Sequence, residues 1–192
     1  MSYARPSAAI AGAVELFLGR REGLGRFDFS FEGFWRSFGA AFYALPLYAF
    51  VIAGEWSLVA AAPKPPALSL LIAARLADFV LDFAAMPAAL ALLARPLGIS
   101  RSYAPYIVVR NWSTLVVLAP QAAISLLLRL GWLSYEISAL LSLALLVVML
   151  VYQFRIVRWT IGWTPGPAAA FVAADAILSL ILISLVNALF GF

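Results

Sequence analysis

The chain has 192 residues, of which 65% are hydrophobic and only 11% charged, against about 25% charged in a typical soluble domain. It contains no Cys and no His, which excludes disulfides, thiolate sites and every mechanism built on imidazole. The net charge of +4 calls for no nucleic-acid partner, because membrane topology accounts for it.

The apolar supply matches five spans at roughly 20 residues each, so the fold class is all-α: a polytopic membrane protein, a bundle of five transmembrane helices. Residues 1–33 are expected to form a cytoplasmic, interfacial segment. Within it, residues 8–18 are apolar apart from Glu15, but as a helix they reach only about 16 Å, too short to cross. Gly19-Arg20-Arg21-Glu22 follows where a signal peptide would carry a small-residue cleavage site. An amphipathic helix on the membrane surface is therefore expected. Phe27, Phe29 and Phe31 then alternate with Asp28, Ser30 and Glu32, an interfacial approach to the first span with Ser30 as its N-cap.

The transmembrane domain is placed at 34–192. Its spans are expected at about 34–53, with Pro46 inside; 67–94, entered through Pro63-Lys64-Pro65-Pro66; 106–128, with Pro120 inside; 132–154; and 167–192. Connecting loops are short, so function is expected within the membrane or at its faces. Small-residue pairs at Ala84–Ala88, Ala85–Ala89 and Ala169–Ala173 are expected to permit close helix approach.

Orientation follows from the basic residues. Arg5, Arg20, Arg21, Arg26, Arg36, Arg95, Arg101, Arg110, Arg155 and Arg158 fall on one side, and Lys64 and Arg129 on the other. The positive-inside rule puts the N-terminus in the cytoplasm and the C-terminus outside. Arg supplies nearly all of the positive charge, a bias typical of GC-rich bacterial genomes, so the expected location is a bacterial inner membrane.

The informative residues are those that are costly where they sit. Arg75, Asp78 and Asp82 share one face of the second span, within about 60° of arc. Together they oppose insertion by about 8–10 kcal/mol, while the Leu, Ile, Val and Phe of that span return about 4–7 kcal/mol. That span needs neighbours. Arg75 and Asp78 are spaced to pair at i, i+3, which leaves Asp82 in want of a partner. Arg110, Gln153 and Asp175 on later spans are the candidates, and one buried polar cluster of Asp82, Arg110, Gln153 and Asp175 is expected. Such a cluster either marks a path for protons or a polar solute or locks the helices together. No cofactor or metal is expected.

The stretch Ala74-Arg75-Leu76-Ala77-Asp78-Phe79-Val80-Leu81-Asp82 resembles the second half of the metal motif of membrane phosphatidyltransferases, a likeness that implies phospho-alcohol transfer. Ala74 stands where that motif has Gly, and residues 58–74 contain no acid for the upstream half. Two facing Asp residues, Asp82 and Asp175, also resemble an intramembrane aspartyl protease pair, although Val172-Ala173-Ala174 precedes Asp175 in place of Gly-x-Gly. Five spans, short loops and a cytoplasmic N-terminal segment are similar to the architecture of the Yip family of trafficking proteins, and no residue motif carries a function across. The leading expectation is a non-catalytic accessory, assembly or membrane-organising subunit, in contact with lipid and with another membrane protein or its own copies. The rival is a small oligomeric transporter or channel component using the intramembrane Asp and Arg residues.

Overall fold

The computed structural model describes residues 5–191. Residues 1–4 of the expected N-terminal segment, and Phe192 of the expected last span, lie outside them. All regular structure among the described residues is helical, as a chain this apolar requires where no water is present to satisfy the backbone. The order is α1 (Pro6–Phe17), a 3-10 turn (Arg21–Arg26), α2 (Phe31–Ser37), α3 (Ala40–Val59), α4 (Leu68–Leu93), α5 (Tyr103–Arg129), α6 (Tyr135–Thr160) and α7 (Pro165–Phe190). Five segments are long and apolar enough to cross a membrane: Phe31–Val59, formed by α2 and α3 in succession, and each of α4 to α7.

Local chemistry sets the helix ends. The Ser30 hydroxyl accepts from the Gly33 N–H at 3.0 Å and caps α2, and Ser134 does the same for α6 through Ile137. Pro6 and Pro165 occupy first-turn positions of α1 and α7, where the missing N–H costs nothing. Gly131 and Gly162, at φ 72° and 84°, follow the ends of α5 and α6 in the left-handed conformation.

Several boundaries differ from the sequence reading, and the first crossing runs on to Val59 instead of ending at residue 53. A turn at Phe38–Gly39 separates α2 from α3, so the first crossing begins as two helices. The fourth begins at Tyr135 and continues past residue 154 to Thr160. Arg158 lies in the last turn, where a cation complements the helix dipole, and the Arg155 guanidinium one turn earlier reaches the Phe17 carbonyl at 3.4 Å.

The most extensive helix pairing is α3 on α5. Ala40 and Ala44 are fully buried, and a Cβ on Gly54 would stand 2.6 Å from the Ser125 Cβ. Two of the small-residue pairs singled out in the sequence, Ala84–Ala88 and Ala169–Ala173, do not serve this purpose, while Ala85 and Ala89 are half-buried. Ala84, Ala88, Ala169 and Ala173 are all exposed, because each is turned about 80° or more around its helix from the charged residues that reach neighbouring helices.

The expected helix near the N-terminus forms, and its buried face meets protein. Ala9, Gly12, Ala13 and Leu16 recur at i, i+3, i+4 and i+7 and pack toward α5, α6 and the 3-10 turn. Gly12 and Gly23 meet so closely that a Cβ on either would stand 2.8 or 2.6 Å from the other's carbonyl oxygen. The Tyr152 hydroxyl donates to the Ala13 carbonyl at 2.8 Å and therefore accepts from the Ser113 hydroxyl at 2.7 Å. Tyr152 lies about 12 Å from the end of α6, so α1 is tied into the bundle well below the helix ends.

Candidate functional site

The polar face of α4 meets two arginine-centred networks. In the first, the Arg75 guanidinium clasps Glu55 of α3, with Nε donating to Oε2 at 2.8 Å and Nη2 to Oε1 at 2.7 Å. Its Nη1 donates to Asp78 Oδ2 at 2.7 Å and to Asn187 Oδ1 of α7 at 2.9 Å. The i, i+3 pair expected from spacing is present. Glu55 and Asn187 were not anticipated: the first span was expected to end at residue 53, which left Glu55 outside. The available signal was a lone acid in an otherwise uncharged apolar helix, followed by a span carrying a lone arginine.

The second network centres on Arg110 of α5, whose side chain is only 5% exposed. Nη2 donates to Asp82 Oδ1 at 3.0 Å and Nη1 to the Asp82 carbonyl at 3.2 Å. Asp175 of α7 approaches Nη2 at 4.0 Å, while Nε is buried without a partner. Gln153 does not join these groups. Its Oε1 is buried with no hydrogen-bond partner, since the carboxylates reach Arg110 from α4 and α7 and Gln153 stands on α6. Of the expected cluster, Asp82, Arg110 and Asp175 therefore come together without Gln153, the Arg75–Asp78 pair is extended by Glu55 and Asn187 into a second network, and each network ties three helices together.

Other polar residues complete the interior. Asn111 Nδ2 donates to the fully buried Ser37 hydroxyl at 2.9 Å, and that hydroxyl donates to the Phe34 carbonyl at 2.6 Å. Gln121 reaches Ser142 at 3.3 Å. Among the described residues, no three His, Cys, Asp or Glu side chains gather as a metal site.

Charge is unevenly distributed. The two networks contain four carboxylates (Glu55, Asp78, Asp82, Asp175) and two guanidinium groups. Between them lies a cavity of about 240 Å³, lined by Asp78, Asp82, Tyr48, Thr114 and Ser179 on its polar side and by apolar residues elsewhere. A groove of about 410 Å³ between α4 and α7 has Asp175 as the one charged residue of its lining. The interior therefore favours positive charge, and one turn of α4, about 6 Å, separates the two networks along it. No protein-family model, no curated protein and no solved structure matches the chain.

Proposed function

We propose that the protein is a small, non-catalytic transport component that moves protons or a small polar solute along its interior acid and arginine residues. The observation that carries this reading is the excess of carboxylates over guanidinium groups in the two networks, with two of those carboxylates, Asp78 and Asp82, lining a partly open cavity. A network serving only to lock helices gains nothing from surplus acid, which is costly away from water unless neutralised, and intramembrane ionisable groups commonly mark pathways. Five spans are few for a carrier working alone, so the reading includes a second copy or another membrane protein beside it. The distribution of arginines supports a cytoplasmic N-terminus and an external C-terminus, and the location proposed is a bacterial inner membrane.

The test is flux in proteoliposomes. Asp82→Asn keeps a hydrogen-bond acceptor for Arg110, so the variant is expected to fold and to lose flux. A wild-type protein that carries no flux, alone or with a co-purifying partner, would remove this reading. The alternative is an accessory or membrane-organising subunit, favoured by the way each arginine ties three helices into a rigid unit. It predicts that Asp82→Asn lowers stability and that gentle purification yields a stoichiometric membrane partner.

A further inference from the structure

Resting on the transport reading, the geometry points to the place where the moving charge is held. The cavity among α3, α4, α5 and α7 takes a small monovalent cation, a proton carried on water or a sodium ion, between the carboxylates of Asp78 and Asp82. The two acids stand at i, i+4 on α4 and both line this cavity. Asp78 is only 9% exposed, and its two oxygens differ: Oδ2 is taken by Arg75, while Oδ1 is buried with no partner at all. A buried carboxylate oxygen without a donor wants a positive charge.

Arg75 does not supply that charge in full, because Glu55 engages the same guanidinium through two of its nitrogens. The ionisable groups around Asp78 are Glu55 and Tyr48 from α3 and Arg75 and Asp82 from α4. Thr114 of α5 and Ser179 and Asn187 of α7 add neutral polar groups. Arg110 stands beyond Asp82 and is divided between Asp82 and Asp175. The hydroxyls of Tyr48, Thr114 and Ser179 line the same space as the two carboxylates and offer neutral oxygens to a cation or to the water carrying a proton. The remaining lining, including Phe79, Phe83, Val117 and Leu118, is apolar. With no third acid gathered there, the site suits single charge over double.

The experiment uses the full chain in phosphatidylcholine vesicles, with circular dichroism and size-exclusion profiles confirming that each variant is folded. Infrared spectra are recorded as pH is cycled between acid and alkaline, and thermal stability is measured in sodium chloride against choline chloride. A proton on Asp78 is expected to give a carboxylic-acid band absent from Asp78→Asn; a sodium site is expected to give sodium-specific stabilisation absent from the same variant. Should Asp78→Asn fail to fold, Ser179→Leu fills the cavity without touching an ion pair and is expected to abolish the same signal. The site is overturned if wild type gives neither signal, or if the signal persists in the folded variants. Flux that survives both variants would overturn the site and leave the transport reading standing. A site signal in a protein without flux would do the reverse.

Discussion

Glu55 and Arg75 stand twenty residues apart on successive helices, and Arg75 holds Glu55 through Nε and Nη2 at 2.8 and 2.7 Å. This clasp joins α3 to α4, while the remaining guanidinium nitrogen, Nη1, holds Asp78 and Asn187. Neutralising one member leaves the others short of a partner. Glu55→Gln is expected to lower stability by about 1–3 kcal/mol, the scale of a charge-assisted hydrogen bond. Arg75→Met strands two carboxylates and is expected to lose about 3–5 kcal/mol. The double variant should lose less than the sum of the two. Denaturant titrations of all three in one detergent provide the measurement, and additive losses would show that the pair is not coupled.

Tyr152 ties α1 to the bundle through one hydroxyl that donates to Ala13 and accepts from Ser113. Tyr152→Phe leaves a backbone carbonyl and a serine hydroxyl buried without that partner. The expected loss is about 1–3 kcal/mol, concentrated in α1. Because the chain has no cysteine, a spin label at Gly25→Cys, an open position in the 3-10 turn that packs on α1, reports the loosening of that unit. Its mobility should rise in Tyr152→Phe and stay unchanged in a Tyr135→Phe control.

At the crossing of α3 and α5, Gly54 leaves no room for a methyl group, since a Cβ there would stand 2.6 Å from the Ser125 Cβ. Gly54→Ala is expected to destabilise the protein by about 1–3 kcal/mol through overpacking. Ser125→Gly should restore most of that loss when combined with it, even though glycine alone costs a helix about 1 kcal/mol. A thermal shift series of the two single variants and the double variant decides this; absence of rescue would mean the crossing can relax elsewhere.

The N-terminal segment carries an acid-sensitive anchor. The Ser30 hydroxyl and backbone N–H beside Asp28 hold its carboxyl below the usual range, with Arg36 assisting. The Arg26 side chain bonded to Glu15 at 2.6 Å does the same for Glu15. A carboxyl whose folded value is depressed contributes stability that is complete above its unfolded value and is lost as pH falls through the folded one. The anchor should therefore hold at neutral pH and loosen below about pH 4. The same Gly25→Cys label should become mobile in that window, and Asp28→Asn should weaken the pH dependence. A label equally immobile across the acid range would refute the anchor.

Much of this architecture was legible in the residues themselves. Apolar length and scarcity of charge required membrane-spanning helices, since a backbone without water must bond to itself. The spacing of Arg75, Asp78 and Asp82 required a charged face turned toward neighbours, and Ser30 marked a helix start by its capping chemistry. These are local properties, written in composition and in periods of three and four residues.

Partner identity was not local. That Arg75 takes Glu55 and Asn187, that Arg110 gathers Asp82 and Asp175 while Gln153 stands apart, and that α1 docks on Tyr152 depend on which helix faces lie against each other. The sequence marks those faces only loosely, because in lipid most faces are equally apolar and hydrophobicity no longer separates inside from outside. The exposed alanines of α4 and α7 illustrate the point. Small residues alone suggested contact there, but the desolvation cost of the charges turned other faces of those helices inward. The tertiary structure alone decided where each charge found its counterpart.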